Sequence, residues 1–282
     1  MIGSSAFQGG DEGMPAVAPA ELAIAEAFVA ARRAARALPS YPGAIPVDLA
    51  SAYAIQEAAI RLCPDRLVGW KVGGVPPALQ AALGAHRLAG AVFADGLWTA
   101  GEAPTLLPVI KGGFAAIEAE FVARIGPDVD PSRTDWTLEA AADQVEAVFI
   151  GVELSGSPLS AINDLGPVVV ASDFGNNLGL AVGPELTDWR ARLDGIEVET
   201  VIDGVSVGRG GSLSLAGGAL ESVRFLLEHR ARQGRPLGHG ALVSTGAVTG
   251  VHRVDAGSEA TCVFKGVGEI RCMTVPAEPH RG

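Results

Sequence analysis

Residues 115–125 alternate apolar side chains at odd positions (Ala115, Ile117, Ala119, Phe121, Ala123, Ile125) with Glu118 and Glu120 at even ones. A period of two marks a strand, so the two carboxylates leave side by side from one face while the other face is apolar. Their repulsion is answered either by solvent, if that face is exposed, or by a cation. A third carboxylate, Glu153, follows the apolar run AVFIGV and precedes a Ser-Gly-Ser-Pro turn, a strand-end position where functional side chains emerge. Three carboxylates with no histidine or cysteine beside them make a hard, all-oxygen donor set, suited to Mg²⁺ or Mn²⁺ rather than zinc or copper. Three protein ligands leave about three octahedral positions for water or a bidentate substrate, which is the layout of a catalytic ion.

The elements that must position these groups are legible in outline. Residues 1–15 are small, polar and Gly-rich and read as a disordered lead-in. Residues 20–38 are dense in helix formers and stop at Pro39, Pro42 and Gly43; a second helix is expected over 47–62, with Asp48 as N-cap and Pro64 past its end. These helices form an N-terminal subregion over 16–66. From 67 to 282 the texture is that of a β-rich catalytic domain, with short runs separated by glycine: LVGWKVGG, AGAVFADGLW, FAAIEAEFVARIG, AVFIGVEL, GPVVVAS and LGLAVG. Two hairpins are expected, one turning at Asp203-Gly204 and one joining 258–265 to GEIRCMTV, and helical patterns cover 137–146 and 218–233. The fold class is α+β, a helical start and a mostly β body, rather than a regular βαβ alternation.

Bulk properties restrict the partners. A chain of 282 residues with 48% hydrophobic residues, 37 Gly and 18 Pro is an ordinary globular protein rich in turns. Its net charge of −11 repels phosphate backbones and anionic lipid, which argues against nucleic acid, and no stretch reads as a membrane span. Cys63, Cys262 and Cys272 form no CxxC and no even framework, which favours a reducing, cytoplasmic location, with Cys262 and Cys272 as buried thiols or as a cross-strand pair. The five histidines show no ligand spacing.

Several segments, in order over most of the chain, resemble the 2-keto-4-pentenoate hydratase family within the fumarylacetoacetate hydrolase superfamily. They are AYAIQEAAIR (52–61), VGWKVGG (68–74), ALGAHRLAGAVFADGLW (82–98), IEAEFVARIG, FIGVELSGS, SVGRGG and ALVSTGAVTGVHRVDAGS (241–258). The resemblance implies a fumarylacetoacetate-hydrolase-like mixed β fold and glutamates at 118, 120 and 153 binding Mg²⁺ or Mn²⁺. It also implies a small 2-oxo acid or dienol as substrate, and self-association into a homo-oligomer. It points to Lys71 and Asp95 as catalytic residues of the same pocket. A 2-oxo acid can chelate the ion, which makes its C3 proton acidic, and Lys71, partly desolvated, is expected to have a lowered pKa for proton transfer, with Asp95 orienting it or relaying its proton. Read alone, Lys71 could equally snorkel out of its apolar run, and Asp95 before Gly96 is a good turn residue. Arg209 in VGRGG is a candidate to bind a substrate carboxylate or a loop decoration. The STGAV segment brings Thr245 and Gly246 near the substrate, Gly246 permitting close approach.

Two departures bear on substrate choice. Ala116 stands where hydratases of this kind tend to carry an arginine, and ASDFGNN (171–177) replaces a polar ADNAS-type segment, leaving Ser172 and Asp173 as candidate polar groups. The expected reaction is metal-dependent addition of water to a 2-hydroxy-2,4-dienoate. The alternatives are a 4-oxalocrotonate-type decarboxylase or acylpyruvate-type C–C hydrolase on the same site, or a non-catalytic 2-oxo acid binding protein.

Overall fold

A computed structural model describes residues 17–280. The expected lead-in, residues 1–15, lies outside the described residues. Helices α1 (Pro19–Arg33) and α2 (Leu49–Leu62) come first. Helix formers continue to Leu38, but α1 stops at Arg33. Ala35 turns left-handed (φ 48°), the Arg36 amide donates to the Ala31 carbonyl and the Ala35 amide to that of Arg32, a Schellman closure. Leu38 is thereby freed to bridge to Leu159. The Asp48 side chain accepts from the Ser51 amide at 2.8 Å and caps α2 as expected.

The chain continues through β1 (Leu67–Gly74), α3 (Pro77–Leu83), β2 (Arg87–Phe93), β3 (Leu97–Thr99), β4 (Thr105–Val109), β5 (Phe114–Ile125), α4 (Leu138–Ala142) and β6 (Val145–Ser157). Then follow α5 (Pro167–Ser172), β7 (Asn177–Glu185), α6 (Trp189–Arg192), β8 (Val198–Ile202), β9 (Val205–Gly210) and α7 (Ala219–Arg232). The last strands are β10 (Leu242–Ser244), β11 (His252–Arg253), β12 (Glu259–Phe264) and β13 (Gly268–Pro276). Two expectations change. GPVVVAS, read as a strand, is helix α5: Pro167 sits at its first position, and Val169 and Ala171 are buried, so tertiary packing overrides the β preference of three valines. The helix expected over 137–146 closes at Ala142, because Val145 already belongs to β6.

The strands form two sheets. The larger runs β2-β1-β10-β5-β6-β7-β3, with β11 also on β5; the smaller runs β4-β13-β12-β8-β9. Both expected hairpins are present, and Asp203 (φ 49°) and Gly204 (φ 80°) make the tight turn between β8 and β9. One apolar core runs from Phe28 on α1 through Phe121 on β5 to Phe264 on β12, the last two rings meeting edge-on at 5.6 Å. Gln56 on α2 binds the helices to the sheet, its amide donating to the carbonyls of Ala89 and Ala171 and accepting from the Ala91 amide. The α+β organisation is as the sequence predicts. Cys262 and Cys272 are free and buried, and burial pushes the Cys262 thiol up to about 12. No helix among the described residues is long and apolar enough to cross a membrane.

Candidate metal centre and active-site cleft

The long central strands decide the site. In β5 both faces are buried, so the even-numbered face that carries Glu118 and Glu120 is not a solvated surface. β6 lies antiparallel to β5 in a register that sets Glu153 directly opposite Glu118. Side chains of directly opposed residues share a face, so the three glutamates converge on one patch. Glu153 is not at a strand end, as its sequence context implies, but inside β6, which continues to Ser157. That extension matters, because the Ser155 hydroxyl donates to Glu118 Oε1. Ala116 is the next residue on this face, opposite Ser155. The arginine expected there is thus replaced by a small residue beside a neutral donor.

Each carboxylate is held by the neighbouring strands, and two of the three remain partly unsatisfied. Glu120 accepts from the Ser244 hydroxyl and, at 2.8 Å, from the Gly246 amide. Glu153 Oε1 accepts from Asn177 Nδ2 at 2.9 Å and lies 3.4 Å from Lys71 Nζ. Glu120 Oε1 and Glu153 Oε2 are buried with no hydrogen-bond partner. One oxygen from each of the three glutamates falls within 4.8 Å of the others. Orphaned anionic oxygens in a dry site carry a large desolvation penalty, and a hard divalent cation is the partner this donor set fits. The residues therefore fit Mg²⁺ or Mn²⁺.

Electrostatics agree with that reading. Burial raises Glu118 to about 7, with Glu153 adding to the rise and Lys71 and Ser155 opposing it. Burial, then Glu153 and Glu118, holds Glu120 well above the usual carboxylate range. Lys71 corrects an expectation. Burial by itself lowers its pKa, but the attraction of Glu153, Glu118 and Glu120 outweighs burial, so the ammonium is held above its ordinary value. Its charge partly neutralises the three acids.

The site opens into a cleft of about 1340 Å³ that is lined by Lys71, Glu118, Ser155, Asn176, Thr245 and Gly246, among others. Thr245 and Gly246 both line this cleft, and the Thr245 hydroxyl donates to the Phe121 carbonyl at 2.9 Å and so fixes the strand end. Gly246, at φ 114°, faces the Val72 carbonyl and Leu215, with room for little more than a hydrogen. Three predicted residues are not brought together with them. Asp95 lies in the turn after β2 with its side chain 69% exposed, near His280 rather than Lys71. Its register explains this: Lys71 pairs with Gly90 while Phe93 pairs with Leu67, so Asp95 falls beyond the far end of β1. Arg209 is on β9 of the smaller sheet, 75% exposed and paired with Glu199 at 2.8 Å. Ser172 is buried, but its hydroxyl accepts from Tyr41 and donates to the Val169 carbonyl, a structural task.

Sequence reasoning missed the groups that support the centre. Ser155 lies two residues after Glu153, and that period-two spacing was the available signal; Ser244 and Asn177 sit on β10 and β7 and come to the site only through strand pairing, opposite Val122 and Ser155. Arg32 on α1 was invisible, because its partners are more than a hundred residues away. It donates to Asp173 Oδ1 at 2.6 Å and to the Asn177 carbonyl at 2.7 Å, and its guanidinium lies over the Phe174 ring. Ser157 satisfies the other Asp173 oxygen at 2.6 Å. Asp173 thus anchors the 171–177 segment rather than facing the cleft. His229 contributes to the cleft wall between Tyr53 and Phe225, and burial lowers it to about 4, so it is neutral there.

Comparison with known proteins bears on this geometry. No family model matches the chain. Among curated proteins, the "TodF product hydratase" of Pseudomonas putida F1 is 28% identical over 229 residues, covering 79% of this chain and 83% of that protein. The 2-keto-4-pentenoate hydratase 2 of Dechloromonas aromatica is 28% identical over 230 residues, covering 80% and 86%. The chain is thus similar in sequence, over about four-fifths of its length, to 2-keto-4-pentenoate hydratases. Among solved structures, 4-oxalocrotonate decarboxylase from Pseudomonas putida G7, complexed with magnesium and adipate, superimposes with a TM-score of 0.76 at 20% identity, covering 90% of this chain and 97% of that one. That likeness is one of fold, and it agrees with the mixed α+β architecture expected from the sequence.

Proposed function

We propose that this chain is a divalent-metal-dependent hydro-lyase that adds water to a 2-hydroxy-2,4-dienoate to give a 4-hydroxy-2-oxo acid. The observation that carries the reading is the set of three buried carboxylates, two with unpartnered oxygens, beside a buried lysine at the inner end of a cleft. The names of the homologues supply the reaction class. Glu118, Glu120 and Glu153 would hold Mg²⁺ or Mn²⁺, which when bound supplies Lewis acidity toward the substrate's carboxylate and 2-oxo oxygens.

The protein's own groups do the rest. Lys71 Nζ is the cationic proton carrier beside the carboxylates in this cleft; held as the ammonium, it would deliver a proton to C5 as the dienol gives up its hydroxyl proton and becomes a conjugated ketone, whose C4 then takes the water oxygen and whose C3 takes the second proton. Ser155, Ser244 and the Gly246 amide fix the carboxylate oxygens, so the centre needs no rearrangement when substrate arrives. Burial of the site excludes bulk water from the reacting end. Self-association is part of the same reading, supported by exposed Val205 and Val207 on the edge strand β9. A reducing, cytoplasmic setting is supported by three free cysteines.

The test is loss of diene absorbance when purified protein is mixed with Mg²⁺ and 2-hydroxypenta-2,4-dienoate, with EDTA and Glu118→Ala as controls. Metal-dependent loss that both controls abolish supports hydration. No loss with any divalent ion would sink it, and CO₂ release from 4-oxalocrotonate in its place would assign a decarboxylase. Ligand-induced melting shifts without any turnover would assign a binding protein.

A further inference from the structure

The segment following α5 has an unusual backbone. Phe174, Gly175 and Asn176 have φ of 52°, 63° and 64°, three consecutive left-handed residues of which two are not glycine. Such a run persists only where its surroundings impose it, and ligand-binding sites are where such backbone tends to collect. Here the surroundings are identifiable. Gly90, the partner of Lys71 across β1 and β2, leaves space for the Phe174 carbonyl, and Arg32 and Ser157 hold Asp173 from below.

The product of this geometry is the placement of Asn176. It lines the cleft, is only 3% exposed, and its Oδ1 has no hydrogen-bond partner. Its Nδ2 donates to Asn163 Oδ1 at 3.3 Å, which fixes the amide with its acceptor free. The preceding residue, Gly175, packs on the Lys71 stem: a Cβ at Gly175 would stand 3.1 Å from Lys71 Cδ. A desolvated acceptor therefore sits one residue along from the contact with the proton-carrying lysine. The cations nearby do not offer a second anion site, since Arg87 and Arg224 both engage Glu221.

We infer that Asn176, fixed by Asn163, is a specificity-determining residue whose side-chain oxygen accepts a hydrogen bond from an uncharged hydroxyl at C4 of the 2-oxo acid. The inference rests on the proposed function above and names the feature by which the cleft selects its acids. A buried acceptor left facing a methylene stays unpaired, and one facing a carboxylate is repelled, so both are disfavoured relative to a hydroxyl. The replacement of the ADNAS-type segment by ASDFGNN thus gives the cleft a neutral amide in place of a small hydroxyl and an acid.

The test compares binding of 4-hydroxy-2-oxopentanoate and of 2-oxopentanoate to Mg²⁺-loaded protein by titration calorimetry. Wild-type protein is expected to prefer the hydroxy acid roughly tenfold or more. Asn176→Gly, which accepts the left-handed backbone, is expected to bring that ratio close to one, by weaker binding of the hydroxy acid and, with no acceptor left unpaired, no weaker binding of 2-oxopentanoate, with a melting curve to verify folding. Asn163→Ala, a milder change at an exposed position, is expected to lower the ratio in part. An unchanged ratio in the folded variants, or no preference in a wild type that binds both acids, overturns the assignment of Asn176 alone. Binding of neither acid by Mg²⁺-loaded wild type overturns it together with the function on which it rests.

Discussion

Glu118 and Glu153 stand directly opposite each other across β5 and β6, both buried, with the Lys71 ammonium 3.4 Å from Glu153. Two like charges in register and out of water are destabilising unless a cation or a proton compensates them. Lys71 supplies one positive charge against three carboxylates, so under the proposed function the metal-free protein would hold protons there and the loaded protein an ion.

Replacing one of the pair should therefore have opposite effects in the two states. Glu118→Gln is expected to leave metal-free protein as stable as wild type or more so at pH 8, because it removes a buried like charge. Its melting shift on adding Mg²⁺ should largely vanish, and turnover should fall by roughly a hundredfold or more, at least the upper range seen for residues that merely support a metal ligand. Paired melts with EDTA and with Mg²⁺, alongside the diene assay, check all three.

The pH dependence follows from the same group. Burial raises Glu118 from 4.5 to about 7, so between those values the folded chain binds a proton that the unfolded chain has released. Stability from this group is fully present below about pH 4.5 and is lost as pH rises through about 7. Ion binding needs the carboxylates deprotonated, so the stabilisation by Mg²⁺ should grow over the same interval. Melting of EDTA-treated protein from pH 5 to 8 should show a fall on the order of several degrees, and a larger Mg²⁺ shift at pH 8 than at pH 5. A Mg²⁺ shift that shrinks with rising pH would contradict the assignment of the buried acids.

Lys71→Met should separate metal binding from turnover. The change removes a cation that competes with the ion for Glu153, so Mg²⁺ affinity is expected to be retained or increased. Turnover should fall by roughly 10²- to 10⁴-fold, the usual contribution of a positioned proton carrier. Metal titration beside the kinetic measurement distinguishes this from a folding defect, which would lower both.

What the sequence made legible was local in its physics. A period of two in 115–125 placed Glu118 and Glu120 on one face, and the Asp203-Gly204 pair specified a hairpin turn, because each depends only on neighbours along the chain. Glu153 joined them through register, which periodicity constrains but does not fix. The misplacements have one cause. Asp95 and Arg209 were assigned by type and motif context, whereas their strands carry them past the end of β1 and into the other sheet. GPVVVAS became helix α5 because its fit against α2 outweighs strand propensity. The Arg32–Asp173 anchor needs two residues 141 positions apart, and no window along the chain contains it.

Those misplacements carry a prediction of their own. Asp95→Asn and Arg209→Ala change exposed side chains outside the cleft, so both are expected to keep kcat and KM within about twofold and stability within the roughly ±0.5 kcal/mol usual for surface changes. Steady-state kinetics on the two variants decide it. A large loss of kcat in Asp95→Asn would restore that residue to the proton path.

The last prediction concerns a glycine that couples the lysine to the Asn176 segment. Gly90 pairs with Lys71 across β1 and β2, and a Cβ there would stand 2.0 Å from the Phe174 carbonyl oxygen and 2.4 Å from its carbon. The obstructing atoms are backbone, not the end of a flexible side chain, so Gly90→Ala must move the 174–176 turn, β2, or both. Overpacking of this kind costs about 1–3 kcal/mol, and for a chain of this size each kcal/mol lowers Tm by roughly 2–4 °C. The proposed ligands of the ion lie on β5 and β6, two and three strands away from β2's partner β1, so Mg²⁺ affinity should change little. The displaced groups are Asn176 and the Lys71 stem, so KM should rise and kcat should fall in the same variant. Gly101→Ala, outside the cleft lining, where an added methyl would meet nothing within 4 Å, is the control and should leave Tm and kinetics unchanged. Loss of Mg²⁺ affinity in Gly90→Ala would mean that the turn supports the carboxylates as well, through the adjoining Asn177, whose side-chain amide donates to Glu153.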